Sequence, residues 1–130
     1  SCFHGYYHPT GKINEAIKTA QNRSPDKPIV LQEFGLPTAP HNENWGGTES
    51  EQKELYDYML SKVAQQNLSG SMFWAFNDNP NDLANLDVAF GSVYDNEGYH
   101  DYGNNFGVLR TDYSKKPAAH VVEQYYKWIL

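Results

Sequence analysis

The stretch KPIVLQEFG, Lys27–Gly35, decides the fold class of this chain. Pro28-Ile29-Val30-Leu31 is a short continuous apolar run that leads into Gln32-Glu33-Phe34-Gly35. A run of this length between two chain-breaking residues is typical of a buried strand in a parallel sheet. The stretch therefore predicts a parallel strand that ends at Glu33, which places a carboxylate at the rim of the sheet.

Apolar strands alternate with amphipathic helices on either side of this stretch. Two further strands are predicted over Ser1–Tyr7 and Ser71–Phe76. One helix is predicted over Lys12–Asn22, a second begins at Thr48, and a third begins at Ser114. This order implies an α/β fold in which helices cover a parallel sheet, and no linker or repeat divides the chain.

The helices carry predicted caps and buried stripes. Thr48 has Glu51 three residues further on, which is the spacing of a capping box. Ser114 is predicted to cap the last helix, with Pro117 in its first turn. The residues expected to face the core recur at helical spacing, and they are Ile13, Ala16, Ile17 and Ala20; Leu55, Met59 and Val63; and Ala118, Val122, Tyr125 and Ile129.

Composition limits the classes of partner. The chain has 130 residues, 39% of them hydrophobic and 20% charged, which suits a globular domain and not a disordered segment. Its 10 basic and 16 acidic residues give a net charge of -6, so we expect no nucleic-acid partner. No long apolar run or basic amphipathic stretch indicates a membrane partner. Cys2 is the only cysteine, so the chain cannot have an internal disulfide framework.

Three predicted strand ends carry residues suited to a ligand site. Ligands of parallel α/β folds bind at the carboxyl ends of the strands. Glu33 there is either a functional carboxylate or one bonded to a neighbouring loop, and the residues alone leave the two readings even. His4 and Tyr6 point to one side of their strand, where they either contact a ligand or are satisfied in the core. Trp74 is either a core residue or a stacking platform for a sugar ring.

No metal or cofactor is expected. The aspartates after the third strand lack the spacing of an EF-hand and are predicted to lie in a solvated loop. Histidines elsewhere lack the spacing of zinc ligands, and Gly46-Gly47 is not part of a phosphate-binding loop. The residues set aside on these grounds are Asp78, Asp82 and Asp87, and His41, His100 and His120.

Together these segments resemble the C-terminal part of a retaining clan A glycoside hydrolase, closest to the family 5 cellulases and β-mannanases. Lys27–Gly35 looks like barrel strand seven, His4-Gly5-Tyr6 like the end of strand six, and Gly70–Trp74 like strand eight. The segments Phe106–Asp112 and Ser114–Ala118 are similar to the entry into the last helix. The resemblance implies that residues 1–130 are the C-terminal portion, about strands 6–8 with their helices, of a single (β/α)8 TIM barrel whose N-terminal part is absent.

The resemblance implies a role for each strand end. Glu33 would be the catalytic nucleophile, and Tyr6 would position it through a hydrogen bond. His4 and Trp74 would bind the substrate. No metal or other cofactor is implied.

A retaining glycosidase also needs a second carboxylate, the acid/base, about 5–5.5 Å from the first. Asn42-Glu43-Asn44 does not supply it, because this triplet lies in the loop after the nucleophile strand. The resemblance places the acid/base upstream of Ser1. We therefore expect the isolated chain to be inactive, and its partner to be the N-terminal part of the barrel or a second copy.

The implied substrate is a β-linked oligo- or polysaccharide such as glucan or mannan, cleaved by double displacement. The implied location is secreted or in the cell envelope. Two other readings stay open. A non-catalytic carbohydrate-binding protein explains the aromatic residues in polar loops but leaves Glu33 without a role. A flavodoxin-like interaction domain predicts no sugar contact at Trp74.

Overall fold

The structure is a computed structural model that describes the backbone of residues 2–4 and all atoms of residues 12–38, 47–78 and 105–127. Its strands are β1 (Cys2–His4), β2 (Val30–Glu33) and β3 (Gly70–Ser71). Its helices are α1 (Lys12–Arg23), α2 (Glu49–Gln65) and α3 (Pro117–Tyr126). The elements follow each other as β1-α1-β2-α2-β3-α3, which confirms the predicted alternation.

The three strands form one parallel sheet in the order β1-β2-β3. Phe3 pairs with Leu31, and Leu31 pairs with Ser71 on the other side. The register then shifts after Phe3, so that His4 lies opposite Glu33. At the carboxyl edge of the sheet, β1 therefore extends to Glu33, the last residue of β2, whereas β3 ends opposite Leu31.

The hydrophobic core lies between the sheet and the helices. Leu31 and Phe34 are its members from the central strand and the residue after it, and both are fully buried. Burying an apolar side chain of this size contributes roughly 1.5–3 kcal/mol. The other members come from the three helices and from Val108, and they are Ile13, Ile17, Leu55, Tyr56, Met59, Leu60, Ala118, Ala119 and Val121.

The first two helices confirm the predictions. α1 buries Ile13, Ile17 and Ala20 of its predicted stripe, and α2 buries Leu55 and Met59. The remaining predicted stripe residues, Ala16 and Val63, are half-buried. α2 begins at a capping box, in which the Glu51 N–H donates to Thr48 Oγ1 at 3.2 Å and the Thr48 N–H donates to Glu51 Oε2 at 2.7 Å. Each bond satisfies a backbone donor that has no partner within the helix itself.

The start of α3 differs from the prediction. Its cap residue is Lys116 and not Ser114, and no side chain completes the cap. Ser114 belongs instead to a turn, where its N–H donates to Asp112 Oδ1 and its hydroxyl accepts from Arg110 Nη1. Pro117 has no N–H and its φ already suits the first helical turn, so the helix begins there without Ser114.

The buried face of α3 also differs in part from the predicted stripe. Its fully buried residues are Ala118, Ala119 and Val121. Val122 and Tyr125 are half-buried and pack against the core, and Ile129 lies outside the described residues. The helix packs against α2 with its first turns deepest, so burial fades toward its C-terminus.

The third strand is shorter than the predicted Ser71–Phe76, because the chain changes partner. The Trp74 N–H still donates to the Phe34 carbonyl oxygen at 2.8 Å, in continuation of the sheet. One residue later, the Ala75 N–H donates to the Phe106 carbonyl oxygen at 3.1 Å. The chain therefore leaves the ladder with β2 and pairs with residues 105–109. No helix of the described ranges is long and apolar enough to cross a membrane.

The capping box makes a testable contribution to stability. Replacing Thr48 with alanine should lower the free energy of unfolding by about 1 kcal/mol, because the first turn of α2 loses its reciprocal cap. Urea unfolding followed by circular dichroism measures the change. Ser50→Ala, an exposed change in the same turn, is the control and should stay within about 0.5 kcal/mol of wild type. Equal losses in both variants would contradict the cap.

Candidate active site

The carboxyl ends of the strands lie side by side at one edge of the sheet. Glu33 ends β2, and the register sets His4 of β1 opposite it. On the other side, the hydrogen bond from Trp74 to Phe34 sets Trp74 beside the residue that follows Glu33. The backbone thus brings together three of the four site residues predicted from the sequence. The fourth, Tyr6, lies outside the described residues.

Glu33 occupies the boundary between the buried strand and the loop after it. Leu31 and Phe34 are buried in the core, whereas Gln32 between them is exposed. Glu33 itself is half-buried. A carboxylate in this position remains within reach of a ligand while the strand fixes its backbone. Its role as nucleophile stays a prediction.

Trp74 is not a core residue, because 52% of its surface is exposed. Phe73 fills the core instead, with ring centroids 6.4 Å from Phe34 and 5.6 Å from Tyr56. Successive side chains of an extended segment point to opposite sides, so Met72 (54% exposed) and Trp74 lie on the side opposite Phe73. Phe76 is also exposed (65%), but it lies near Val122 and Tyr126 of α3.

Close contacts fix the backbone at Trp74. A Cβ atom at Gly35 would lie 2.1 Å from the Trp74 carbonyl oxygen and 3.2 Å from Phe106 Cδ1, so only glycine fits there. The Tyr56 hydroxyl lies 3.5 Å from the same carbonyl oxygen. Burial raises the pKa of Tyr56, which keeps this hydroxyl protonated and able to donate. The Trp74–Ala75 peptide bond is cis.

A buried charged pair beside the site was not predicted. Lys116 and Asp78 are only 1% and 5% exposed. Lys116 Nζ lies 2.8 Å from both carboxylate oxygens of Asp78, and it also donates to Thr38 Oγ1 at 2.8 Å and to the Asn105 carbonyl oxygen at 3.3 Å. The Gly107 N–H donates to Asp78 Oδ1 at 2.8 Å. The prediction that Asp78 lies in a solvated loop is therefore wrong.

The environment of the pair explains both its pKa shifts and why it was missed. Burial raises the pKa of Asp78 and lowers the pKa of Lys116, while the hydrogen bond between them acts in the opposite direction on each. The sequence does not separate Lys116 from its neighbour Lys115, which is exposed and paired with Glu123. A signal existed at Asp78, since it follows an apolar strand much as Glu33 does.

Gln52 is a second buried polar anchor that the sequence analysis missed. Its side-chain Nε2 donates to the carbonyl oxygens of Leu36 (2.9 Å), Gly107 (3.1 Å) and Phe106 (3.3 Å). It sits one residue after Glu51, on the inner side of α2, where a glutamine breaks an otherwise apolar face. The helix thereby holds the segment after Glu33 against residues 105–109.

The described residues contain no group of three or more His, Cys, Asp and Glu side chains that could hold a metal ion. Asp82, Asp87, His41 and His100 lie outside those residues. Of the residues set aside as metal ligands, Asp78 belongs to the ion pair with Lys116. His120 is exposed on α3, 3.6 Å from Glu123.

The packing at Gly35 yields a prediction. Gly35→Ala should lower the free energy of unfolding by about 3 kcal/mol, because the new methyl group would collide with the Trp74 carbonyl oxygen and force the two segments apart. Gly70→Ala is the matched control, since a Cβ atom there meets nothing within 4 Å. Thermal and urea unfolding compare the two variants. A Gly35→Ala protein as stable as the Gly70→Ala protein would contradict the contact.

Sequence comparison identifies no relative of this chain: no protein-family profile and no curated protein matches it. Comparison of the fold with solved structures does find matches. A GH2 β-galacturonidase from Eisenbergiella tayi, solved with galacturonate, matches 98% of this chain with a TM-score of 0.66 and 22% identity. A GH5_18 protein from Streptomyces cattleya, solved with GlcNAc, matches 86% with a TM-score of 0.57 and 22% identity. A GH113 β-1,4-mannanase matches 97% with a TM-score of 0.58 and 20% identity.

These matches are TIM-barrel glycoside hydrolases, and at this level of identity the likeness concerns the fold. The chain shares that fold over nearly its whole length. It spans 23% of the length of the first two proteins and 38% of the third. Because the matches belong to families 2, 5 and 113, they do not single out family 5, which remains a prediction.

Proposed function

We propose that this chain is the C-terminal, nucleophile-bearing part of a retaining β-glycoside hydrolase. The observation that carries the proposal is the meeting of three strand ends, with His4 opposite Glu33 and Trp74 hydrogen-bonded to the residue after Glu33. Parallel barrels bind their substrates at this edge. The fold, shared with TIM-barrel glycoside hydrolases, supports the same reaction class.

In the proposed reaction, Glu33 is ionised and attacks the anomeric carbon of the sugar. The bond from that carbon to the leaving oxygen breaks, while the acid/base carboxylic acid gives its proton to that oxygen. Water then attacks the resulting glycosyl ester, loses a proton to the same acid/base, and releases Glu33 and a sugar of retained configuration. Tyr6 positions Glu33 by a hydrogen bond, and His4 and Trp74 bind the sugar.

The acid/base is proposed to come from the N-terminal part of the same barrel. The three strands formed by the described residues are too few to close a barrel. The helices cover one side of the sheet, whereas Gln32, Met72 and Trp74 are exposed on the other. The missing strands would cover that side and complete the site. Alternatively, a second copy of the chain covers that side of the sheet. Light scattering of the purified chain would then show a dimer.

The proposed substrate is a β-linked oligo- or polysaccharide, with glucan and mannan as the leading candidates. The structural matches include a mannanase, a galacturonidase and a protein bound to GlcNAc, so the sugar itself needs a survey. Aryl β-glycosides of these sugars, and the corresponding polymers, form a suitable panel. Polysaccharides such as glucan and mannan are too large to enter cells, which supports a secreted or cell-envelope location.

The nucleophile is tested in the complete protein that contains this chain. Glu33→Gln should lower kcat at least about a thousandfold, because the amide cannot form the glycosyl ester. Glu43→Gln, ten residues further along the sequence, is the control and should retain wild-type kcat. Azide added to Glu33→Ala should yield an α-glycosyl azide, which distinguishes a lost nucleophile from a lost acid/base. Undiminished hydrolysis by Glu33→Gln would refute the assignment.

The isolated 130-residue chain should show no turnover on the same panel, because it brings only one of the two carboxylates. Mixing it with a separately expressed N-terminal part should restore hydrolysis. Turnover by the isolated chain would contradict the proposed division of the site. Saccharide binding without cleavage by any complete or reconstituted form would favour the non-catalytic carbohydrate-binding reading.

A further inference from the structure

The buried pair of Lys116 and Asp78 lies beside the candidate active site but has no part in the proposed reaction. Asp78 belongs to the segment that follows Trp74, and Thr38 to the segment that follows Glu33. Lys116 Nζ is 2.8 Å from the Thr38 hydroxyl oxygen and 2.8 Å from the Asp78 carboxylate. The Lys116 ammonium group therefore forms hydrogen bonds with both segments that leave the site.

These two segments are joined at both ends. Close to the sheet, the Trp74 N–H donates to the Phe34 carbonyl oxygen at 2.8 Å. Farther out, Lys116 links Thr38 to Asp78. These two connections fix how the segments lie relative to each other. They therefore also fix the relative positions of the Glu33 and Trp74 backbones.

A third segment, residues 105–109, completes the arrangement. The Asn105 carbonyl oxygen accepts from Lys116 Nζ at 3.3 Å and from the Thr38 N–H at 2.9 Å. The Gly107 N–H donates to Asp78 Oδ1 at 2.8 Å. A Cβ atom at Gly107 would lie 2.1 Å from the Asp78 backbone nitrogen, so this approach requires glycine. All three segments thus meet the one pair.

Stability alone does not account for a buried ion pair. Removing an ammonium and a carboxylate from water is costly, and apolar side chains of similar volume often replace such pairs without loss of stability. Apolar side chains would fill the same space, but they would not make directed bonds to a hydroxyl, a carbonyl oxygen and a backbone N–H. The pair is therefore suited to fixing positions.

We propose that Lys116 and Asp78 are positioning residues of the active site, which hold the segment after Glu33 and the segment after Trp74 in one register. The nucleophile and the aromatic platform then keep the separation that the reaction needs. This inference rests on the proposed glycoside hydrolase function. It assigns neither residue a contact with substrate.

The test uses the complete protein and two kinds of variant. Asp78→Leu combined with Lys116→Met removes both charges and leaves no unpaired ion, so Tm should stay within about 5 °C of wild type. Its kcat should fall about tenfold or more, because the two segments lose their common register. Lys115→Met, at the exposed neighbouring lysine, is the control and should keep wild-type kcat and Tm.

Thr38 offers a milder variant that leaves the ion pair intact. Thr38→Val has the same shape but lacks the hydroxyl, which accepts from Lys116 Nζ and donates to the Asn105 carbonyl oxygen at 3.3 Å, so kcat should fall about threefold or more with little change in Tm. Thr38→Ser restores the hydroxyl and should recover wild-type kcat. A purely structural role would not produce this split between valine and serine.

A spectroscopic readout is independent of turnover. With 5-fluorotryptophan incorporated, the ¹⁹F resonance of Trp74, assigned through Trp74→Phe, should shift in the double variant and in Thr38→Val but not in Lys115→Met. Wild-type kcat in both the double variant and Thr38→Val would overturn the positioning role, as would an unshifted Trp74 resonance. Absence of turnover by the wild-type protein, with the resonance shifts present, would instead overturn the proposed function.

Discussion

The close approach between the backbone of Phe34–Gly35 and the backbone of Trp74 is the constraint on which the rest of this structure depends. It joins the central strand to the exit of the third strand at a distance that only glycine permits. Because Phe34 is fully buried and packs 5.1 Å from the ring of Tyr56, the contact is anchored in the core. It determines the backbone positions from which the Glu33 carboxylate and the exposed Trp74 indole extend.

Polar anchors extend this constraint outward from the sheet. Gln52 reaches from α2 to three carbonyl oxygens, and Lys116 reaches from the start of α3 to Thr38, Asp78 and Asn105. Each anchor comes from a helix and ends on loop backbone or loop side chains. The helices therefore do more than cover the sheet, since they also specify the path of the segments around the candidate site.

The sequence allowed prediction of the features that depend on local patterns. The spacing of α1, the Thr48 capping box and the end of β2 at Glu33 follow from neighbouring residues, and the structure confirms them. The early exit of the third strand could not be predicted, because it depends on pairing with residues 105–109, far along the chain. Nothing local distinguishes buried Lys116 from exposed Lys115 either, since the tertiary structure alone decides which lysine meets Asp78.

The exposed apolar side chains after β3 have a practical consequence for anyone who produces this protein. Met72 and Trp74 are each about half exposed, and exposed apolar surface of this kind promotes aggregation. Expression of the 130 residues alone is thus prone to give inclusion bodies. Co-expression with a covering polypeptide, or a solubilising fusion partner, addresses the cause directly because it shields these two side chains from water.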